Sequence, residues 1–93
     1  MLKISFTKNA LKFLQQVPTK HGRQIAVTLE SLRVNSLPQD SKKLKGTSDY
    51  YRVDIGEYRV IYQINSEEKT IIIAFTGKRN DNEVYKKFKR KKQ

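Results

Sequence analysis

Apolar and polar residues alternate at the start of the chain. Leu2, Ile4 and Phe6 stand against Lys3 and Ser5, so Leu2–Phe6 is expected to form a short strand. The period then changes. Thr7 suits the N-cap of a helix over Lys8–Val17, its hydroxyl taking one of the amides that a helix start leaves unpaired. Ala10, Leu11, Leu14 and Val17 make one apolar stripe at helical spacing, and Pro18 closes the segment. A second helix is expected from Thr19 or Lys20 to Val34, with the stripe Ile25, Leu29 and Leu32 and a weak point at Gly22. The pair reads as a helical hairpin with one apolar face and a polar face of Lys12, Gln15, Gln16, Arg23 and Arg33. Alone it cannot bury the apolar face.

The second half supplies the cover. Tyr50–Ile55, Tyr58–Ile64 and Lys69–Thr76 alternate or run apolar, bounded by Gly46, Gly56 and the turn at Asn65–Glu68. Connections this short predict an antiparallel meander. In the middle strand Tyr58, Val60, Tyr62 and Ile64 face one way and Arg59, Ile61 and Gln63 the other. In the next, Ile71, Ile73 and Phe75 oppose Thr70, Ile72, Ala74 and Thr76. The expected fold class is α+β, in the order β-α-α-β-β-β. A helical hairpin packs on a small, mostly antiparallel four-stranded sheet whose second face stays partly polar. Ser36–Lys43, a polar loop with Pro38, joins helices to sheet. Residues 1–93 are expected to form a single domain with a basic C-terminal segment from about 80 to 93.

Composition narrows the chemistry. The chain has 93 residues, 20 of them Lys or Arg against nine Asp or Glu, for a net charge of +11. Such a surface attracts polyanions, either nucleic acid or an anionic membrane. The charge is uneven: +4 over residues 1–41, +1 over 42–77 and +6 over 78–93. The basic end offers one phenylalanine, Phe88, and no broad apolar face, which disfavours membrane binding. The longest apolar run, Thr70–Phe75, is far too short to span a bilayer, and Met1–Phe6 lacks the apolar core of a secretory signal, so a cytoplasmic protein is expected. With no cysteine and one histidine, His21, the usual zinc sets and cysteine nucleophiles are out of reach. The isolated glycines form no phosphate-binding loop, so neither a cofactor nor a metal is expected. Asp54 with Glu57 and Glu67 with Glu68 read as strand-end and turn residues.

Cations on strands remain. Arg52, Arg59 and Arg79 occupy strand or turn-proximal positions, where the sheet holds them. The guanidinium fork matches a phosphate and keeps its charge at any relevant pH. Tyr85 follows six residues after Arg79, and an aromatic beside arginines suits single-stranded RNA, one group stacking on a base and the others meeting phosphate. Such a cluster can also cut RNA without metal. The ribose 2′-hydroxyl attacks the adjacent phosphodiester, and arginines stabilise the charge that develops on phosphorus. Ordinary surface arginines are the plain alternative.

Leu44-Lys45-Gly46, the block Tyr50-Tyr51-Arg52-Val53-Asp54-Ile55-Gly56-Glu57-Tyr58-Arg59-Val60-Ile61-Tyr62, then Gly77-Lys78-Arg79 and Val84-Tyr85 resemble the signature of the RelE/ParE superfamily of bacterial toxins. The similarity covers nearly the whole chain. It implies a toxin of a type II toxin–antitoxin module, bound by a small antitoxin protein in a hetero-oligomer. In the RelE-like branch it implies an mRNA interferase that cleaves mRNA in the ribosomal A site, leaving a 2′,3′-cyclic phosphate and a 5′-hydroxyl. Arg59 would then stabilise the transition state. Arg79 would do the same or protonate the leaving 5′-oxygen, and Tyr85 would stack on a base. Lys45, Arg52, Lys78, Lys86 and Lys87 would contact RNA. Asp54 departs from the pattern, lying where a lysine base is expected. It would serve either as a weak base or as the partner that orients Arg52 or Arg59. Two other functions stay open: a ParE-like inhibitor of DNA gyrase, and a non-catalytic basic nucleic-acid-binding module that is a decayed toxin.

Overall fold

The structure, a computed structural model, describes residues 1–46 and 49–79. Its elements are β1 (Lys3–Phe6), α1 (Lys8–Leu14), α2 (Thr19–Leu32), β2 (Lys42–Lys43), β3 (Tyr50–Ile55), β4 (Tyr58–Asn65) and β5 (Thr70–Lys78). They build a sheet in the order β1-β5-β4-β3-β2. The expected meander is present, since β3 pairs with β4 and β4 with β5, both antiparallel. The sheet has five strands rather than four. The fifth, β2, comes from the end of the polar loop and pairs with β3 through Lys42↔Arg52 and Lys43↔Tyr51. Two residues are too few for alternation to announce a strand. At the opposite edge β1 lies parallel to β5, with Ile4 beside Ile71 and Phe6 beside Ile73.

Both helices cover one face of the sheet. Ala10, Ile25, Leu29 and Leu32 pack with Val53, Ile55, Tyr58, Val60, Tyr62, Ile71 and Ile73, all at most 5% exposed. Val60, Tyr62, Ile71 and Ile73 are completely buried, so this layer supplies most of the favourable burial free energy. The stripe of α2 lies where its spacing predicts. The stripe of α1 does not: Leu11 is 45% exposed, and Phe13 packs on the core instead, its ring 6.0 Å from that of Tyr58. Residues 10, 13, 14 and 17 follow the helical repeat as well as the set containing Leu11, and only the position of the sheet chooses between them. Before Pro18, Gln15–Val17 leave the α geometry for tighter turns, with Gln16 and Val17 donating to Phe13 and Leu14 carbonyls. The second helix ends at Leu32, two residues short of Val34. Arg33 is drawn off to β1, its Nε donating to the Leu2 carbonyl at 2.8 Å while the Leu2 amide donates back to the Arg33 carbonyl.

A β-bulge corrects the expected facing of the last strand. Ile61 pairs with Phe75 but Tyr62 pairs with Ile73, so Ala74 is an extra residue on β5. Ile71 and Ile73 face the helices, whereas Ala74 and Phe75 both turn to the other face and join Leu44, Ile61 and Tyr50 in a small second cluster. Thr76 returns to the helix side, buried, with its hydroxyl toward the Ala10 carbonyl. The carbonyl at the bulge is satisfied by Thr7, whose hydroxyl donates to Ala74 O at 2.6 Å and accepts from the Ala10 amide at 3.2 Å. One side chain thus caps α1 and satisfies the irregularity in β5.

Candidate active site on the second face of the sheet

Alternation puts Arg52 and Asp54 on the face of β3 opposite to Val53 and Ile55, which are buried under the helices. The antiparallel register sets Asp54 across from Arg59 and Arg59 across from Gly77. A two-residue connection, Gly56-Glu57, holds that register. Gly56 has φ of +59°, and a Cβ there would also stand 3.1 Å from the side chain of Gln24 on α2.

Asp54 and Arg59 meet as a two-pronged pair. Arg59 Nε donates to Asp54 Oδ1 at 2.7 Å and an Arg59 Nη donates to Oδ2 at 3.2 Å. Arg52 Nη1 lies 3.8 Å from the same Oδ2, close enough for attraction but beyond hydrogen-bond length. The Asp54 carboxyl is held below its usual value. The hydrogen bond from Arg59 is the largest cause; partial burial opposes it, and the charges of Arg59, Arg52 and Arg79 add to the lowering. Asp54 is therefore ionised at neutral pH. Arg79 follows β5 directly and is anchored through its own amide, which donates to the Glu57 carbonyl at 2.9 Å. Its charge, like that of Arg52, acts on the Asp54 carboxylate.

The other expected site residues separate. Lys78 stands across from Tyr58, in the phase of β5 that belongs to the helix side, and so leaves the face that carries Arg59. Lys45 is exposed in the turn beyond β2, beside the Tyr50 end of β3. Four residues of strand, about 13 Å, separate that end from Asp54. Tyr85, Lys86 and Lys87 lie outside the described residues. One cation was missed by sequence reasoning: Lys42, which its pairing with Arg52 adds to the same face at the sheet edge. Only recognition of a strand inside the polar loop would have found it. His21 makes an edge contact with the Tyr58 ring at 5.4 Å, on the helix side and away from the arginines. Among the described residues no group of three or more His, Cys, Asp or Glu is placed to hold a metal ion. No helix among them is long and apolar enough to cross a membrane.

Two helices on one face of a mixed sheet, with Arg52 and Arg59 paired to Asp54 on the other, define a small α+β protein with a charged sheet face. A family profile described as the ParE toxin of the type II toxin–antitoxin system parDE matches residues 4–82. Toxin RelE3 of Methanocaldococcus jannaschii is 33% identical over 70 residues, covering 71% of this chain and 80% of that protein. The mRNA interferase toxin RelE of Escherichia coli K12 is 30% identical over 88 residues, covering 88% of this chain and 87% of that protein. The archaeal RelE–RelB complex of Pyrococcus horikoshii OT3 contains a similar structure, with a TM-score of 0.76 and 33% identity over 86% of this chain and 97% of that one. The chain belongs to the RelE/ParE superfamily and is a RelE-like toxin of a type II toxin–antitoxin system.

Proposed function

We propose that the chain is a ribosome-dependent endoribonuclease that cleaves mRNA in the A site and so stops translation. The observation that carries this reading is the meeting of Arg59 and Arg52 with a single carboxylate, Asp54, on one sheet face, with the charge of Arg79 near enough to act on the same group. In the reaction the ribose 2′-hydroxyl gives its proton to water as its oxygen bonds to phosphorus, and the bond to the 5′-oxygen breaks as that oxygen takes a proton from water. The products are a 2′,3′-cyclic phosphate and a 5′-hydroxyl. Negative charge on the phosphoryl oxygens rises along the way, and preorganised guanidinium groups stabilise it more than they stabilise the starting diester. Arg59 and Arg79 take that role, as charges rather than as acids, because a guanidinium does not release its proton near neutral pH. Arg52 holds the flanking backbone, Lys45 reaches a more distant stretch of RNA, and Tyr85 stacks on a base to align the nucleotide. No metal is invoked, since the stabilising charge is already present in the arginines.

The relatives named as mRNA interferases support the same reading at about 30% identity. It puts the toxin in the cytoplasm with the ribosomes and pairs it with a cognate antitoxin, as RelE is paired with RelB in the Pyrococcus complex. A groove of about 350 Å³ lies on the helix side, lined by Ile4, Phe6, Leu14, Ile25, Ala26 and Leu29, and it suits an amphipathic antitoxin segment. In cells expressing the toxin, mapping of mRNA 5′ ends is expected to reveal A-site cuts that disappear in Arg59→Ala and Arg79→Ala, together with the growth arrest. Wild-type cleavage by both variants overturns the assignment.

The family profile carries the name of ParE, which favours a second reading, a gyrase inhibitor. Trapped gyrase and altered supercoiling with intact mRNA would establish that one instead.

A further inference from the structure

We propose that Asp54 is a positioning residue for Arg59, trading some affinity for RNA against placement of the guanidinium that meets the reacting phosphate. The inference rests on the nuclease reading and goes beyond it, because it gives the acid in a basic site a function other than proton transfer.

An arginine side chain has several rotatable bonds and wanders unless something holds its head. Here both prongs of the carboxylate take part, at 2.7 Å from Nε and 3.2 Å from an Nη, which defines the plane and direction of the guanidinium. The backbones beneath cannot slide, since the two residues face each other in register beside the tight Gly56-Glu57 turn. Arg59 is the more enclosed partner, with its side chain 14% exposed against 32% for Asp54. Arg52 is treated differently. At 3.8 Å it is drawn toward Asp54 without being locked, so the carboxylate orients one arginine rather than two.

The charge balance gives the cost. Asp54 reduces the local sum of Arg52, Arg59 and Arg79 by one unit and repels a phosphodiester in the ground state. Its benefit appears only as charge builds on phosphorus, when the direction of Arg59 matters most. Binding and turnover should therefore move in opposite directions when Asp54 is removed. A role confined to holding the fold would lower both, and a general base would lose turnover as fully in Asp54→Asn as in Asp54→Ala.

The test measures single-turnover cleavage of mRNA on programmed ribosomes, affinity for a 2′-O-methylated RNA that cannot be cut, and the Arg59 Nε–H resonance in the free toxin. Asp54→Ala is expected to slow cleavage by about 10- to 100-fold, to tighten binding of the methylated RNA about 3-fold, and to broaden away the Nε–H signal that is sharp in the wild type. Asp54→Asn keeps one acceptor for Nε–H and should lose no more than about 5-fold in rate. Asp54→Lys, which restores the lysine that the family resemblance leads one to expect, should cleave less than Asp54→Ala because it places a like charge against Arg59. Any of three results overturns the proposal: faster cleavage by Asp54→Lys than by the wild type, equal damage in Asp54→Asn and Asp54→Ala, or an unchanged Nε–H resonance in Asp54→Ala. Should Arg59→Ala cleave like the wild type, the nuclease reading fails on its own, and the resonance still decides whether Asp54 holds Arg59.

Discussion

The two faces of the sheet are built from alternate residues of the same strands and do opposite things. On the helix side Val53, Ile55, Val60, Tyr62 and Ile73 form one continuous apolar layer with α1 and α2. On the other, a small cluster of Leu44, Ile61, Ala74 and Phe75 lies beside Arg52, Asp54 and Arg59. The contrast teaches where stability and chemistry are kept. Burial of the first face holds the strands in register, and register alone brings Asp54 to Arg59. The second face can then carry like charges at close range, which a fold depending on that face for its stability could not tolerate.

The largest effect should come from a substitution that sets the faces against each other. Ile73→Ala, on the helix side, is expected to lose about 2–5 kcal/mol in urea unfolding, whereas Arg59→Ala, which leaves the partly exposed Asp54 carboxylate to water, should lose less, about 1–2 kcal/mol, and yet abolish cleavage. Equal losses of stability would break the division. Next comes the side chain that joins the faces. Thr7→Val removes both the cap on α1 and the partner of the Ala74 carbonyl, and should cost about 2 kcal/mol in the same measurement.

Acid gives a smaller effect, on the face that carries Asp54. The folded pKa of Asp54 lies below its unfolded value near 3.8. Its pairing therefore contributes stability above that value, and the contribution is lost as pH falls through the lower folded pKa. The melting-temperature gap between wild type and Asp54→Asn should be present at pH 5–7 and close as the solution is acidified below 3.8 and through the lower folded pKa. The smallest effect belongs to the exposed pair Arg33–Glu30 at 2.9 Å. Glu30→Gln should change stability by less than about 0.5 kcal/mol, and a larger loss would mean that the Arg33 tie to Leu2 depends on its acidic neighbour.

Much of this division was legible along the chain. The Ile25, Leu29 and Leu32 stripe, the three strands of the meander and the facing of Arg59 away from Tyr58 all follow from local period. The pairing of Asp54 with Arg59 was one of the two roles that its odd position allowed. What could not be read involves contacts distant in sequence. The parallel docking of β1 on β5 joins residues nearly 70 positions apart. The bulge at Ala74 inverts Phe75 with no glycine or proline to mark it. Phe13 replaces Leu11 because of where the sheet lies beneath α1, and Lys42 reaches the cation face only through a two-residue strand.

By itself the sequence determined the two helices, four of the five strands, the family and the identity of the cations, because period, turn residues and charge are properties of neighbours along a chain. Only the tertiary structure decided which cations share a place, separating Lys78 from Arg59, adding Lys42 and converting an out-of-pattern aspartate into the partner of an arginine. The physical reason is the two-residue period of the strand. Each register shift or inserted residue sends a side chain to the opposite face, and registers are set by burial summed over the whole core.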